Sequence, residues 1–262
     1  MKVGLILIGD ELLSGLRQDK HVSHVRQLLN QRGLPLSWIR IVGDDWNLLT
    51  STLRETLSSD DIVFSFGGIG ATPDDLTRQA AAAASGHELT RHPEAVALIE
   101  QRFGAEAYPN RIRMAELPEG ASLLPNPVNQ IPGFRLQQHH FVPGFPDMAW
   151  PMIEWALDEY YRDQFDSAPI LEKRWILREV KESELIPMME LLLQTFPAVR
   201  LSSLPSTRER NKIDFGLKGK AEALQPACDW LEKKLSTQNI LFTPAPLRPA
   251  PSTQTEQTLT KL

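Results

Sequence analysis

The fold of this chain is decided by the stretch Ile62-Val63-Phe64-Ser65-Phe66-Gly67-Gly68-Ile69-Gly70-Ala71-Thr72-Pro73-Asp74-Asp75-Leu76-Thr77. Residues 62–66 have the apolar composition of a strand that is buried on both faces. Glycines then turn the chain, and the alanine-rich segment that begins after Thr77 is typical of a helix. A buried strand that leads through a glycine-rich turn into a helix indicates a parallel α/β sheet.

The sequence on either side of this stretch repeats the order of strand, turn and helix. Lys2–Ile8 and Leu36–Val42 are β-rich apolar runs, and each is followed by a polar turn and then by apolar residues at helical spacing. Further helices are predicted at 91–103 and 146–161, with short strands at 122–124, 134–137 and 140–142. We therefore predict an α/β domain over residues 1–164, in which helices cover both faces of a mainly parallel sheet in three layers.

The order of elements changes after a linker that we expect at 164–169. Residues 170–243 follow the order β-α-β-β-α-β, which predicts a second, smaller α+β domain of the split βαβ type. Residues 244–262 are rich in Pro, Ser, Thr and Gln. We expect them to form a disordered tail, because they bury too little apolar area to offset the entropy of ordering.

Composition and charge exclude several classes of protein. The net charge of −5 argues against a non-specific nucleic-acid binder, which normally carries a basic face. The single cysteine, Cys228, cannot form an intramolecular disulfide, so we expect a reducing, cytoplasmic compartment. The sequence contains no run of about 20 apolar residues, the length that a membrane span needs. We expect neither nucleic acid nor a membrane as a partner.

Three polar turns follow three predicted strands, at Gly9–Gly15, Gly43–Asp45 and Gly67–Thr77. The carboxyl ends of parallel strands meet at one edge of the sheet, where open α/β sheets bind ligands. Glycine lets the backbone approach a phosphate, and we expect Gly68 to leave room for it. On spacing alone, the alternative remains open that Asp74 or Asp75 only caps the next helix and that the glycines only turn the chain.

Six acidic residues share this predicted edge, and together they favour a cation. They would repel a phosphorylated ligand unless a divalent ion lay between them. We therefore expect a metal–phosphate site, with Mg, Mn or Co as candidate ions. The six residues are Asp10, Glu11, Asp44, Asp45, Asp74 and Asp75.

The three turns also carry a family resemblance. Gly-Asp-Glu-Leu-Leu-Ser-Gly at 9–15, Val-Gly-Asp-Asp at 42–45 and the glycine turn, in this order, resemble the molybdopterin-binding domain. More closely, they resemble the N-terminal domain of the competence/damage-inducible protein A (CinA) family, as do Arg113–Pro118 and Val142–Met148. The resemblance covers residues 1–160 and implies the molybdopterin-binding fold. Residues 170–243 resemble, less specifically, the small KH-like middle domain of that family.

This resemblance implies a divalent-metal-dependent pyrophosphatase that hydrolyses the diphosphate of ADP-ribose or a related dinucleotide. Asp44 and Asp75 match the functional acids of the family and are the predicted catalytic residues. We expect Asp44, Asp74 and Asp75 to hold the cation. The residues expected to bind phosphate are Gly67, Gly68, Gly70, Thr72 and Thr77, and those expected to contact the rest of the substrate are Gly9, Asp10, Glu11, Ser14 and Gly144.

Two other functions remain open. The same pocket would suit a molybdopterin-binding protein of cofactor biosynthesis, whose ligand is a pterin, or a non-catalytic nucleotide-binding regulatory module. Relatives in this family often self-associate, so a homo-oligomer is a further expectation.

The chain departs from the family pattern at three places. Ala71 stands where the family has proline, Asp19-Lys20-His21 replaces Asn-Thr-Asn, and residues 126–133 lack the Gly-Thr-Ala of the family. The first two departures leave open whether the site is still catalytic. The sequence also ends near the KH-like region, so the amide-hydrolysing C-terminal domain of larger relatives is not expected.

Overall fold

The computed structural model describes residues 2–166, 168 and 170–246. The chain divides into two compact units, Met1–Ser167 and Ala168–Leu262, and each unit has its own apolar core. The division lies within the segment 164–169 where a linker is expected.

The first unit is built on a six-stranded sheet with the order β2-β1-β3-β8-β7-β6. Strands β1, β2, β3 and β8 run parallel to one another, whereas β6 and β7 pair antiparallel at the other end. Strands β4 and β5 form a separate antiparallel pair. The eight strands are β1 (Val3–Ile8), β2 (Leu36–Val42), β3 (Ile62–Phe66), β4 (Leu89–Arg91), β5 (Glu116–Pro118), β6 (Ser122–Leu124), β7 (Gly133–Leu136) and β8 (His139–Val142).

Helices cover both faces of this sheet. Alternate residues of β1 point to opposite faces, so that Ile6 packs among helices on one face and Leu5 among helices on the other. The first face is covered by α3, α4 and α5, and the second by α2 and α6. The three-layer, mainly parallel architecture is therefore confirmed. The helices are α1 (Asp10–Leu13), α2 (His21–Gln31), α3 (Trp46–Leu57), α4 (Thr77–Ser85), α5 (Pro93–Phe103) and α6 (Pro146–Tyr160).

Local sequence explains where several helices begin and end. Asp45 caps α3, because its carboxylate accepts a hydrogen bond from the backbone N–H of Leu48 at 2.7 Å. Gly86 ends α4 in the left-handed conformation, with φ of 74°. Pro93 and Pro146 lie in the first turns of α5 and α6, where the missing N–H has no helical partner to lose.

The second unit is a four-stranded antiparallel sheet with the order β10-β11-β9-β12. Two helices supply apolar side chains to its core, which includes Trp175, Phe215 and Leu231. The order of elements confirms the split βαβ domain. Its elements are β9 (Ile170–Arg178), α7 (Glu182–Thr195), β10 (Arg200–Pro205), β11 (Lys212–Lys220), α8 (Ala221–Thr237) and β12 (Leu241–Ala245).

The start of the predicted tail needs a correction. Pro244 and Ala245 belong to β12 and pair with Trp175 and Arg174 of β9. A proline is tolerated there because β12 is an edge strand, whose outer side needs no ladder hydrogen bond. The remainder of the predicted tail, residues 247–262, lies outside the described residues. None of the helices in the described part of the chain combines the length and the apolar composition that crossing a bilayer requires.

Candidate functional site

Four loops meet at one edge of the first sheet, because β1, β2, β3 and β8 are parallel and all end there. Backbone hydrogen bonds join the loops in pairs. The N–H of Gly9 donates to the carbonyl of Val42 at 3.0 Å, and the N–H of Gly67 donates to the carbonyl of Val142 at 3.0 Å. The loops that we expected to converge after β1, β2 and β3 therefore do so, and the loop after β8 joins them.

Asp10 and Asp44 connect the first two loops. The carboxylate of Asp44 accepts a hydrogen bond from the N–H of Asp10 at 3.0 Å, and the carboxylate of Asp10 accepts one from the N–H of Asp44 at 3.1 Å. Burial raises the pKa of Asp44, and the charges of Asp10, Glu11 and Asp74 raise it further, while the hydrogen bond from Asp10 lowers it. Negative charge is therefore crowded around Asp44.

The glycine turn directs its backbone N–H groups away from the protein. The hydroxyl of Thr77 donates to the carbonyl of Gly67 at 3.0 Å, and its N–H donates to the carbonyl of Gly68 at 2.9 Å. In a trans peptide the N–H points opposite to the C=O, so the N–H groups of Gly68 and Ile69 point outward. Among the described residues, no acceptor occupies the four consecutive N–H groups of residues 68–71. Such a row of free N–H groups can bind an anion.

The role predicted for Thr77 is wrong. Its side chain is fully buried, and its hydroxyl donates to Gly67 rather than facing a ligand. The sequence also predicts that Gly68 leaves room for a phosphate. This reason for the glycine is wrong, because a Cβ atom at this position would collide with Thr77 before it met a ligand. Gly67 and Gly70 are similarly confined by the Ile8 carbonyl and the Asp75 carboxylate, at 2.5 and 2.4 Å from an added Cβ. These glycines are required by the packing of the loop itself.

Asp75 holds the far end of the glycine turn. One of its carboxylate oxygens accepts hydrogen bonds from both the N–H of Thr72, at 2.9 Å, and the Thr72 hydroxyl. Helix α4 has no side-chain cap, so neither Asp74 nor Asp75 has the capping role that spacing left open. The Thr72 hydroxyl, predicted to bind phosphate, is engaged by Asp75.

The three carboxylates expected to hold a cation do not form a set of ligands. Asp44 bonds to Asp10, whereas Asp75 bonds to Thr72 within its own loop. Across the described ranges 2–166 and 170–246, no three His, Cys, Asp or Glu side chains are grouped as a metal site. These residues do not form a complete protein cage in the described part of the chain, and a divalent cation held by Asp44, Asp74 and Asp75 stays a prediction.

The remaining predicted substrate contacts surround the same edge. Gly9 is buried at the end of β1, while Ser14 is exposed at the end of α1. Glu11 pairs with Arg17, whose guanidinium lies 3.6 Å from Oε1 of Glu11. Gly144 presents its carbonyl to two side chains, as described next.

Arg17 and His21 fix the loop after β8. Arg17 donates to the carbonyl of Gly144 at 2.8 Å and lies 5.5 Å from the ring centre of Phe145. Nε2 of His21 lies 3.2 Å from the same carbonyl, so this nitrogen carries the hydrogen. Burial lowers the pKa of His21, which keeps the ring neutral. Asp19 accepts from the N–H groups of His21 and Val22 and thereby starts α2.

Sequence reasoning missed Arg17 and Arg78, and it gave His21 no contact. Arg17 donates to Gly144, a residue 127 positions away, and no local sequence pattern predicts such a partner. Arg78 directly follows the glycine motif, and this adjacency was the one available signal.

Comparison with known proteins agrees with this geometry. Residues 4–163 match the model of a protein family described as "Probable molybdopterin binding domain". This chain belongs to the molybdopterin-binding domain family. The four loops, which include the glycine turn, all lie within the matched residues.

Relatives of this molybdopterin-binding domain include proteins named CinA-like. One from Citrifermentans bemidjiense is 41% identical over 161 residues, which are 59% of this chain and 39% of the relative. One from Escherichia coli is 31% identical over 255 residues, 92% of this chain and 62% of the relative. The chain thus spans less than two thirds of the length of these two relatives. The resemblance to the CinA family is confirmed.

A solved structure is also similar. The crystal structure of the protein CinA from Thermoplasma acidophilum, described as of unknown function, aligns with a TM-score of 0.55 and 27% identity. The alignment covers 60% of this chain and 96% of that one.

Proposed function

We propose that the edge of the first sheet binds the diphosphate of ADP-ribose or a related dinucleotide and hydrolyses it. The observation that carries the proposal is the row of four free N–H groups at residues 68–71, at the edge that also holds the partly buried carboxylate of Asp44. Membership of the molybdopterin-binding family supports a nucleotide or a pterin as the ligand at this edge.

Each group at the edge has a chemical role in this proposal. Water attacks one phosphorus, the bond from that phosphorus to the bridging oxygen breaks, and ADP-ribose yields AMP and ribose 5-phosphate. The free N–H groups stabilise the negative charge that develops on the phosphoryl oxygens. The attacking water passes its proton to bulk water, and the carboxylate of Asp44 is assigned to the cation described next.

The carboxylates of the edge suit a divalent cation that is shared with the substrate. Magnesium in proteins is often held by one or two carboxylates, with substrate phosphates and water as its other ligands. The crowded charge around Asp44 provides such carboxylates without a complete protein cage. Asp44, with Asp74 nearby, would hold Mg, Mn or Co. When bound, the ion neutralises the diphosphate and makes its phosphorus more electrophilic.

Binding of a pterin is the second candidate function. The observation in its favour is the match of residues 4–163 to a family described by molybdopterin binding. In this case the same N–H groups bind the phosphate of the pterin, and no hydrolysis is expected. A regulatory nucleotide-binding module would also bind without turnover.

The test is a screen of the purified full-length chain with ADP-ribose and other dinucleotides, with Mg, Mn, Co or a chelator, read by nucleotide chromatography. We expect AMP from ADP-ribose only when a divalent ion is present. Asp44→Asn should abolish turnover, whereas Asp45→Asn should preserve it, because Asp45 caps α3 and asparagine caps equally well. A folded chain that hydrolyses no dinucleotide with any ion contradicts the proposal. Co-purification of a fluorescent pterin would support the second candidate.

A further inference from the structure

Arg78 is a buried cation that holds three segments together beneath the glycine turn. The residue is 1% exposed. Nη2 donates to the carbonyl of Gly70 at 2.7 Å, while Nη1 donates to the carbonyls of Arg113 and Glu116 at 2.5 and 2.9 Å. Nε is buried and has no hydrogen-bond partner among the described residues.

Carboxylates act on this charge only from a distance. In the part of the chain that the structure describes, Arg78 forms no ion pair, although Glu116 and Asp75 are close enough to act on it electrostatically. The carboxylate of Glu116 faces Arg91 at 3.8 Å, and that of Asp75 is engaged by Thr72. Arginine stays protonated in proteins, and a buried charge without a counter-charge is costly.

The bond from Arg78 to Gly70 also orients the glycine turn. Because the Gly70 carbonyl points inward to the guanidinium, the N–H of Ala71 in the same peptide points the opposite way. Thr77 orients the N–H groups of Gly68 and Ile69 in the same manner. Two neighbouring residues at the start of α4 therefore direct three N–H groups outward.

We propose that Arg78 is both a positioning residue and the fixed positive charge of this anion site. The ligand group is a phosphate or diphosphate, whose negative charge compensates the buried guanidinium across the glycine turn. This inference rests on the proposed function only for the place of the anion, and it is independent of hydrolysis. The bound anion lies against the N–H groups. Arg78 attracts the anion electrostatically from the opposite side of the loop and does not touch the anion.

The test measures the dissociation constant of inorganic pyrophosphate for the full-length chain with magnesium present, by calorimetry at several salt concentrations. Arg78→Gln removes the charge but keeps a donor for Gly70, and Arg78→Lys keeps the charge but loses the fork that reaches three carbonyls. The control is Arg135→Gln. Arg135 also has a buried, unpartnered Nε, but it lies over Tyr160 and pairs with the start of β8, away from the site edge.

We expect Arg78→Gln to weaken pyrophosphate binding by about tenfold or more, the loss typical of one charged partner, and to reduce the salt dependence of binding. Arg78→Lys should weaken binding less and keep the salt dependence of the wild type. Arg135→Gln should bind as the wild type does. Thermal unfolding of each variant checks that it is folded.

Several results would overturn the proposal. Equal losses of pyrophosphate affinity in Arg78→Gln and Arg78→Lys, with unchanged salt dependence, would show that Arg78 only supports the loop structurally. Wild-type affinity in both variants would remove Arg78 from the site. If Arg78→Gln does not fold, wild-type affinity in Arg78→Lys would overturn the positioning role, because lysine lacks the fork that reaches three carbonyls. A wild-type chain that does not bind pyrophosphate would overturn this proposal and the proposed function together. Binding without hydrolysis of any dinucleotide would overturn only the proposed function.

Discussion

A Cβ atom on Gly68 would lie 2.1 Å from Oγ1 of Thr77. The φ angle of Gly68 is +68°, in the region that side chains rarely adopt. The same Thr77 oxygen donates to the carbonyl of Gly67, so moving it away would release that carbonyl. Gly68 and Thr77 therefore act as one unit, in which the threonine turns two carbonyls inward and only glycine fits above it.

We expect Gly68→Ala to destabilise the first domain by about 1–3 kcal/mol, because backbone strain and the collision with Thr77 add to each other. Gly120→Ala is the matched control. Gly120 has a φ of +79°, but nothing lies within 4 Å of its added Cβ, so this variant bears the backbone strain alone. Urea unfolding measures the free energy of unfolding of both variants, and the difference between their losses is the cost of the collision with Thr77. Equal losses of stability would contradict the proposed collision.

The sign of the pKa shift of Asp44 gives a second prediction. The folded protein raises the pKa of this carboxyl above its value of 3.8, so the ionised form weakens folding. The protonated carboxyl contributes most to the free energy of unfolding below the pKa of the unfolded chain. That contribution is lost as pH rises through the pKa of the folded protein. Asp44→Asn should therefore raise the melting temperature at pH 7, by no more than about 2–4 °C since the site is partly solvated. The gain should shrink as the pH approaches 4, and a loss of stability at pH 7 would contradict this argument.

Local sequence predicted the strands and loops of the site but not the direction of its side chains. The buried composition of residues 62–66 depends on neighbours along the chain, and the strand is found as expected. The sequence predicts a phosphate contact for Thr77 because any hydroxyl beside a glycine turn can donate a hydrogen bond to a phosphate. Whether it points to a ligand or to the Gly67 carbonyl depends on three-dimensional packing. The contact of Arg78 with Arg113, 35 positions away, is likewise absent from local patterns.

Two buried histidines make the stability of the first domain sensitive to acid. His139 lies against Thr56, with its Nε2 2.9 Å from the hydroxyl, and Nε2 of His140 lies 3.2 Å from the hydroxyl of Tyr161. Burial lowers the pKa of each to about 3, from 6.5. Below pH 6.5 the unfolded chain takes up protons that the folded chain does not, so stability is lost as pH falls toward 3.

We expect the double variant His139→Gln/His140→Gln to have a flatter pH profile than the wild type. Between pH 7 and 5.5, the wild type should lose about 2 kcal/mol more unfolding free energy than the variant. Urea titrations at both pH values measure this difference. Parallel profiles would show that the histidines take up protons equally in the folded and unfolded states, which contradicts the lowered pKa.

The boundary of the first domain leads to a fourth prediction. The N–H of Asp166 donates to the carbonyl of Arg32 at 3.0 Å, and the guanidinium of Arg32 lies 5.4 Å from the ring centre of Phe165. A fragment of residues 1–166 should fold alone and keep the pyrophosphate affinity of the full chain. A fragment of residues 1–164 should be less stable by about 1–3 kcal/mol, since it loses this hydrogen bond and the packing of Phe165. Equal melting temperatures of the two fragments would contradict the importance of these two residues.

The last prediction concerns the charge of Asp75. Asp75→Asn keeps an oxygen that can accept the hydrogen bond from the N–H of Thr72, made at 2.9 Å in the wild type, but it removes the negative charge. If that charge is catalytic, turnover should fall about 100-fold or more, while the melting temperature changes by less than about 2 °C. Asp60→Asn, an exposed aspartate just before β3 and away from the site edge, is the control and should leave both unchanged.

The opposite result would mean that the charge of Asp75 has no catalytic role. A folded Asp75→Asn protein with full metal-dependent turnover would show that the carboxylate only holds the glycine turn through Thr72. Asp75→Ala, which loses both hydrogen bonds to Thr72, should then lower stability by about 1 kcal/mol and loosen the row of N–H groups. Pyrophosphate affinity would fall in Asp75→Ala and stay unchanged in Asp75→Asn. Measuring turnover, melting temperature and affinity in both variants therefore separates a catalytic charge from a structural anchor.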